Sequence, residues 1–243
     1  ITIFMFLAGV NFVLHYRFLL GRWGAFWRDE EFRFYTVLTV FCTLTVTFVL
    51  RLHGTYDSFV DALRFGAFQV VSIITTTGYV TADYELWPTY TQFILLLLMF
   101  VGACAGSTGG GIKNLRLMVL ARHVRAELSS ILHPKAIVHV RVGGKPVGRE
   151  IIASVTSFFI LYIAIFTAGT LFMTILDLDL ITAMSSVAAT LGNIGPGLGD
   201  VGPMQNYAAI PDSGKWVLSL CMMMGRLELY TVVLLLLPET WKR

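Results

Sequence analysis

Long apolar runs constrain this chain more than any other feature of its sequence. Residues 34–52 and 150–176 are each long enough to cross a bilayer as a helix, which takes about 20 residues. Residues 1–20, 89–101 and 214–237 are similar in character. With 56% hydrophobic and only 14% charged residues over 243 positions, the chain carries more apolar surface than a soluble domain of its size can bury. The sequence therefore predicts an all-α integral membrane protein.

Two shorter runs differ, because they begin with acidic residues and stay too polar to face lipid along their whole length. Residues 57–74 begin with Asp57, and residues 177–189 begin with Asp177 and Asp179. An acid at the start of a helix caps its free N–H groups, and a short helix that stops at membrane depth is typical of a re-entrant pore helix. Non-helical backbone after such a helix is tolerated only where it is buried in protein or lines a water-filled path.

A segment of small, hydroxylated and glycine residues follows each short helix. Such a segment allows successive backbone carbonyl groups to point into one axial pore, as in a potassium selectivity filter. Aligning Gly78 with Gly192, 114 positions apart, also pairs Thr76 with Thr190 and predicts an internal repeat. The predicted filter residues are Thr76, Thr77, Gly78, Tyr79, Thr190, Leu191, Gly192, Asn193 and Ile194.

The span that begins at residue 89 is interrupted by residues 102–111, which contain five glycines. Each glycine lowers helix propensity by roughly 1 kcal/mol, so this stretch is predicted to leave the helical conformation in mid-membrane. Its spacing is not that of a phosphate-binding loop, because Ile112 comes before Lys113. Two interpretations stay open: a kink that only packs helices, or a flexible intramembrane loop that blocks and clears a pore.

Arg226 lies near the middle of the last apolar run, and Glu228 follows two positions later. A charge at that depth costs roughly 2.5 kcal/mol or more unless it faces water or a partner. Residues two apart lie on different faces of a helix, so these two charges do not simply neutralise each other. Subtracting the repeat of 114 from 226 gives 112, which predicts that Arg226 meets the glycine break just below the filter. There it would repel cations from a closed pore; the alternative is a buried ion pair.

Charged residues are sorted along the chain. Threaded through these spans, most of the 18 Lys and Arg fall on one side, chiefly in residues 17–33 and 113–149, and the acids of the short-helix loops fall on the other. The positive-inside rule places the basic side in the cytoplasm, so both filter mouths are predicted to face outside. Cys42, Cys104 and Cys221 lie in apolar runs and are predicted to be buried thiols rather than disulfides or metal ligands.

Four motifs taken together resemble one family. They are residues 75–79, 190–193, 105–113 and 225–228. In this combination the chain resembles the TrkH branch of the Trk/Ktr/HKT potassium transporters over essentially its whole length. The resemblance implies helix, pore loop, helix (M1-P-M2) repeats in a pseudo-fourfold arrangement around one pore. It implies K⁺ uptake through a filter of backbone carbonyls, with no enzymatic step.

Site residues and partners follow from the same resemblance. It implies K⁺ as the transported ion and no organic cofactor, with the ion held at Thr76, Thr77, Asn193 and Ile194. The implied gate consists of Gly106, Ser107, Thr108, Gly109, Gly110, Gly111, Lys113 and Arg226. The resemblance also implies a multi-pass protein of the bacterial inner membrane, in contact with lipid, that forms a homodimer. A cytoplasmic nucleotide-binding regulatory ring of the TrkA type is the implied protein partner, and nucleic acid is not expected to bind.

The resemblance further implies how the chain is divided. Residues 1–33 would be the last helix of a second repeat and a cytoplasmic loop, residues 34–128 a third repeat, residues 129–149 a cytoplasmic linker and residues 150–243 a fourth repeat. The filter segments of the first two repeats are then expected upstream. Neither copy has the second glycine of a Thr-Val-Gly-Tyr-Gly filter, which leaves the ion preference less sharply predicted than the pore.

Two other functions fit this sequence less well than a potassium pore. An intramembrane serine hydrolase would use Ser107 as its nucleophile, but it needs a base within hydrogen-bond reach, and the five histidines lie near helix ends or in loops. A homotetrameric channel with one filter per chain conflicts with the two unequal copies in this sequence.

Overall fold

The structure, a computed structural model, describes residues 1–133, 139–227, 229–236 and 238–241. The described chain is predominantly helical, as predicted. Its helices are α1 (Thr2–Ala8), α2 (Phe12–Leu19), α3 (Ala25–Arg28), α4 (Glu30–Leu52), α5 (Phe59–Ile74), α6 (Thr89–Phe100), α7 (Asn114–Leu132), α8 (Arg149–Ile175), α9 (Leu180–Leu191), α10 (Asp212–Leu227) and α11 (Leu229–Leu236). Between α7 and α8, strands β1 (Arg141–Val142) and β2 (Lys145–Pro146) form an antiparallel hairpin.

Two of these helices, α4 and α8, are long and apolar enough to cross a membrane. α4 begins at Glu30, four residues earlier than predicted. The reason is that Asp29 Oδ1 accepts a hydrogen bond from the Phe32 N–H at 2.8 Å and caps the helix. Glu30 and Glu31 follow in the first turn, where the helix dipole favours negative charge. Residues 30–33 therefore belong to the spanning helix and not to an interfacial loop.

Both predicted short helices are present, and a side chain caps each of them. The Ser58 hydroxyl accepts a hydrogen bond from the N-terminal turn of α5 at 3.2 Å, so the prediction that Asp57 caps this helix was wrong. Asp179 caps α9 as predicted, because its carboxylate accepts from two N–H groups of the first turn at 3.0 and 3.1 Å. Asp177 does not share this role and instead takes a left-handed backbone with φ 61°.

Each short helix lies against longer helices. α4 and α6 contact α5, while α8 and α10 contact α9. α6 also contacts α9 and so joins the two units. Most buried apolar side chains form two clusters, one containing Ile73 and Leu95 and the other containing Val187 and Leu218. The cysteines Cys42, Cys104 and Cys221 are buried free thiols, as predicted.

The single continuous helix predicted for residues 1–20 was wrong, because the structure has two helices there, α1 and α2, bent by 103° at a short break. Asn11 starts the second helix: its Oδ1 accepts a hydrogen bond from the Val13 N–H at 2.8 Å. The break leaves the carbonyl groups of Ala8 and Gly9 available to partners outside the helix.

The predicted interruption of the third span is confirmed. α6 ends and α7 begins on either side of residues 101–113, here called the intramembrane loop. Val101 and Ile112 form a parallel bridge, in which the Gly102 N–H donates to the Ile112 carbonyl at 2.8 Å, so the loop leaves and returns at neighbouring points. The last predicted span is described as two helices, α10 and α11, on either side of Glu228, which lies outside the described residues.

Candidate pore segments and intramembrane loop

The backbone that follows α5 alternates in the sign of φ. Thr75, at the end of the helix, has φ −88°, Thr76 has φ 54° and Gly78 has φ 75°, while Thr77 and Tyr79 keep negative φ. In an ordinary strand successive carbonyl groups point to opposite sides, and an alternation of sign turns them toward one side. Positive φ is uncommon for a residue other than glycine, so the surroundings must hold Thr76 in place.

The backbone that follows α9 repeats this pattern in a different register from the predicted one. Gly192 ends the helix with φ −75°, Asn193 has φ 56° and Gly195 has φ 117°. Asn193 therefore matches Thr76, and Gly195 matches Gly78. The predicted pairing of Gly78 with Gly192 was wrong by three residues.

Backbone hydrogen bonds show the same register. The Thr77 N–H donates to the Ser72 carbonyl at 2.9 Å, and the Ile194 N–H donates to the Ala189 carbonyl at 2.8 Å. Each bond reaches five residues back and closes the end of a short helix in the same way. The two units are thus related by a shift of 117 positions along the chain.

Two residues predicted for the second filter belong to α9 instead, and a third ends this helix. Thr190 and Leu191 lie in the last turn of this helix, and Gly192 is its C-cap. The helix continues to this point because the Gly192 N–H still finds a helical acceptor, the Ala188 carbonyl, at 2.8 Å. Sequence reasoning missed Gly195, although a second glycine three residues after the first was a usable signal.

The two extended segments, residues 75–79 and 192–196, lie against each other. A Cβ atom at Gly78 would overlap the carbonyl oxygen of Ile194, so both the backbone angle and the close approach require glycine at this position. The residues predicted to hold an ion occupy two pairs of equivalent positions: Thr76 with Asn193, and Thr77 with Ile194.

Side-chain hydroxyl groups hold the outer part of each segment. The Ser72 hydroxyl donates to the Tyr79 carbonyl at 2.7 Å, and the Tyr207 hydroxyl donates to the Gly195 carbonyl at 2.6 Å. Burial raises the pKa of the Tyr207 phenol above its ordinary value, so at neutral pH this group is a protonated donor. Both carbonyl groups are therefore held in a fixed direction.

The intramembrane loop contacts both segments. The Gly110 N–H donates to Thr76 Oγ1 at 2.8 Å. On its other side Gly110 approaches the Gly192 carbonyl so closely that a Cβ atom would overlap it. A Cβ atom at Gly109 would lie 3.4 Å from the Thr75 carbonyl oxygen. The tip of the loop thus lies directly beneath the helix-side ends of both segments.

The break between α1 and α2 holds the same loop from another direction. The Cys104 N–H donates to the Gly9 carbonyl at 3.0 Å, and Thr108 Oγ1 donates to the Ala8 carbonyl at 3.1 Å. The carbonyl groups freed by one helix break therefore satisfy donors of the other, which explains why non-helical backbone is stable at this depth.

Glu31 is a residue of this site that sequence reasoning missed. Its side chain is only 9% exposed, and Oε1 accepts hydrogen bonds from the Ala105 N–H at 2.7 Å and the Leu115 N–H at 3.0 Å. These partners lie 74 and 84 positions away along the chain, so no local pattern could have indicated the contact.

Arg226 also contacts the loop. Its Nη1 donates to the Thr108 carbonyl at 3.2 Å, and Lys113 Nζ donates to the Gly109 carbonyl. Both cations line one cavity of about 310 Å³ together with the loop backbone. The sequence predicted that Arg226 meets the glycine break, and the structure brings them together. The repeat length on which that prediction rests is three residues too short. Glu228, the neighbour of Arg226, lies outside the described residues.

Ser107 is not placed as a nucleophile. Its Oγ donates to the Cys104 carbonyl at 2.6 Å. Among the described residues that line its cavity there is no His, Asp or Glu to act as a base, and Lys113, which also lines it, donates from Nζ to the Gly109 carbonyl. The arrangement does not fit a serine hydrolase.

Carboxylates from the loops of the two units lie close together. Burial raises the pKa of Glu85 above its ordinary value, a hydrogen bond from the Gly199 backbone lowers it, and the charges of Asp83 and Asp200 raise it further. Acidic residues from the loops of both units therefore share one surface, where their negative potential attracts cations.

The fold and this site define a multi-pass membrane protein. It is built from repeated units, each with a spanning helix, a short capped helix, an extended segment and a second helix. Comparison with known proteins agrees with this class. The chain belongs to the TrkH family of cation transport proteins, which matches residues 1–242.

Individual relatives are similar over nearly all of the chain. The Trk system potassium uptake protein TrkH of Salmonella typhimurium is 37% identical over 243 residues, covering 100% of this chain and 50% of that protein. TrkG of Escherichia coli strain K12, also named a Trk system potassium uptake protein, is 34% identical over 98% of this chain and 49% of its own length. The chain spans about half the length of the curated relatives it matches. These relatives are transporters and not enzymes.

A solved structure shows the same fold. The crystal structure of the potassium transporter TrkH from Vibrio parahaemolyticus matches with a TM-score of 0.92 and 37% identity, covering 99% of this chain and 52% of that one. The two units and the broken helices described above are thus similar to those of a membrane transporter.

Proposed function

We propose that this chain forms part of a pathway that carries K⁺ into the cell. The observation that carries the proposal is the matched alternation of φ in residues 75–79 and 192–196, which meet at Gly78. The names of the relatives, potassium uptake proteins similar over this whole chain, support the choice of ion. The other walls of the pore would come from two further repeats, as the family resemblance implies.

The proposed filter replaces the water shell of the ion with backbone carbonyl oxygens. Thr76, Thr77, Asn193 and Ile194 would supply these oxygens from two equivalent pairs of positions. α5 and α9 both end at the segments, so the negative ends of their dipoles add to the attraction for a cation. No covalent chemistry is required.

The proposed gate is the intramembrane loop together with Arg226. Gly110 lies beneath both segments, and the Arg226 side chain bonds to the loop at Thr108. At an effective dielectric of about 20, a like charge ~4 Å away raises the energy of an ion by roughly 4 kcal/mol. Opening would require the loop to leave the filter and the arginine to leave the path.

The membrane, the orientation and the partners of the protein are part of the same proposal. The basic loops would face the cytoplasm of a bacterial inner membrane, and the carboxylates near Glu85 would face outside. A homodimer and a cytoplasmic nucleotide-binding ring of the TrkA type follow from the family resemblance.

Glycine substitutions test the filter. In the full-length protein, Gly78→Ser and Gly195→Ser each place a side chain at positive φ, which costs on the order of 1–3 kcal/mol, and at Gly78 the Cβ also meets the Ile194 carbonyl. We expect the preference for K⁺ over Na⁺ to fall by about tenfold or more. The measurement is Na⁺ inhibition of ⁸⁶Rb⁺ uptake in proteoliposomes.

Gly54→Ser is the matched control. This glycine also has positive φ, 66°, but nothing lies within 4 Å of a Cβ there. It should leave ion preference unchanged. If the two filter variants fold and retain wild-type discrimination against Na⁺, the segments do not form the filter.

A further inference from the structure

The Glu31 carboxylate accepts hydrogen bonds from backbone N–H groups on both sides of the glycine-rich stretch of the intramembrane loop. The Ala105 N–H lies just before the Gly106–Gly111 stretch and the Leu115 N–H lies just after it, and one carboxylate oxygen accepts from both, at 2.7 and 3.0 Å. One buried side chain, which is 9% exposed, therefore bonds to the backbone on both sides of the glycine-rich stretch.

The site presents two backbone donors to one carboxylate oxygen. Leu115 lies in the first turn of α7, a helix of 19 residues, where its N–H is too close to the start of the helix to find a helical acceptor. A negative charge at this end interacts favourably with the helix dipole, and hydrogen bonds to a charged acceptor are stronger than neutral ones. Glu31 thus supplies both an acceptor for two free donors and a charge that holds the start of α7.

We propose that Glu31 is the positioning residue of the gate: it fixes the backbone at Ala105 and Leu115, on either side of the glycine-rich stretch, and so holds the Gly109–Gly110 tip beneath the filter. The inference rests on the proposed function in that it takes this loop as the gate. It adds a residue of another helix, α4, that sets how easily the loop can leave the closed position.

The neighbouring Glu30 provides a built-in control. It has the same charge and the same helix, but its carboxylate pairs with Arg122 at 2.8 Å and accepts from the Gly143 N–H at 3.0 Å. These two bonds hold the β1–β2 hairpin and not the loop. Any effect of general charge loss at the start of α4 should appear equally in Glu30 variants.

Cys104 is a native reporter of loop position. Its side chain is 1% exposed and it lies one residue before Ala105, so a thiol reagent reaches it only when the loop opens. The experiment uses the full-length protein in lipid nanodiscs with all other cysteines replaced. The rate of maleimide labelling is compared in Glu31→Ala, Glu31→Gln, Glu31→Asp and Glu30→Ala, each checked for folding by size-exclusion profile.

We expect Glu31→Ala to raise the labelling rate by about tenfold or more, because two charge-assisted bonds are lost. Glu31→Gln keeps one acceptor oxygen and should restore most of the protection, while Glu30→Ala should label at the wild-type rate. Glu31→Asp keeps the charge but is one methylene shorter, so it should label several-fold faster than wild type. If the alanine variant does not fold, the labelling rate of Glu31→Asp tests the proposal in its place.

Equal labelling of wild type, Glu31→Asp and Glu31→Ala would overturn the proposal, as would equal acceleration by Glu30→Ala. Measuring ⁸⁶Rb⁺ flux in the same variants separates this inference from the function. If no variant and no wild-type protein passes Rb⁺, the proposed function fails while the labelling rates still show whether Glu31 holds the loop.

Discussion

Single hydroxyl groups set the direction of the carbonyl groups next to the proposed pathway. Tyr207 is tied to Gly195 by a bond of 2.6 Å, and Ser72 is tied to Tyr79 by one of 2.7 Å. An extended segment without a ladder partner has carbonyl groups that can rotate, so one donor per segment makes a large difference to their order. The sequence could not indicate Tyr207, because it lies 12 positions after its acceptor in a loop without regular pattern.

Removing the Tyr207 hydroxyl tests whether its hydrogen bond orients the Gly195 carbonyl. Tyr207→Phe leaves the ring in place and deletes only the donor, so stability should fall by about 1 kcal/mol. The freed Gly195 carbonyl can then turn, and we expect several-fold weaker discrimination against Na⁺ in ⁸⁶Rb⁺ uptake. Tyr90→Phe, at a side chain that is 56% exposed, is the control and should change neither quantity. Unaltered selectivity in Tyr207→Phe would mean that the bond serves the loop fold alone.

At the scale of elements, the sequence predicted some helix boundaries and breaks and missed others. Caps such as Asp179 and the glycine-rich interruption are local features, and both were found where predicted. The end of α9 was misplaced, since a helix stops where its N–H groups no longer find carbonyls, and Gly192 still finds one. The bend before α2 depends on capping by Asn11. The sequence did not indicate this bend, because Asn11 lies within a long apolar run that is typical of one continuous helix.

The intramembrane loop is the element whose removal should change function most. Deleting Gly109–Gly111 removes the part that lies under Thr76 and Gly192. Basal ⁸⁶Rb⁺ flux through proteoliposomes should rise several-fold, because the obstruction is gone while both segments remain. Deleting Gly143 and Gly144 from the β1–β2 turn, where a Cβ atom added at either glycine would meet nothing within 4 Å, is the control and should not alter flux. A folded loop deletion with wild-type flux would show that the glycine break only packs helices.

Across the whole molecule, contacts between residues far apart in sequence hold the intramembrane loop. Arg226 reaches Thr108 over 118 positions, and Glu31 reaches Ala105 over 74. Each of these contacts joins the intramembrane loop to a helix that belongs to another part of the chain. The loop is therefore held by α4, by the α1–α2 break and by α10 at once, and its release must alter several helix contacts together.

Substitutions that remove or keep the charge of Arg226 test whether this residue repels the ion or only holds the loop in place. In Arg226→Ala the positive charge beside the path disappears, and since a like charge ~4 Å away is worth roughly 4 kcal/mol at an effective dielectric of about 20, ⁸⁶Rb⁺ flux should rise. Arg226→Lys keeps the charge and should stay close to wild type. Lys215→Ala, which removes a cation paired with Asp212 at the other end of α10, is the matched control and should leave flux unchanged. Lower flux or misfolding in Arg226→Ala, with normal behaviour of Arg226→Lys, would assign the arginine to holding the loop in place and not to repelling the ion.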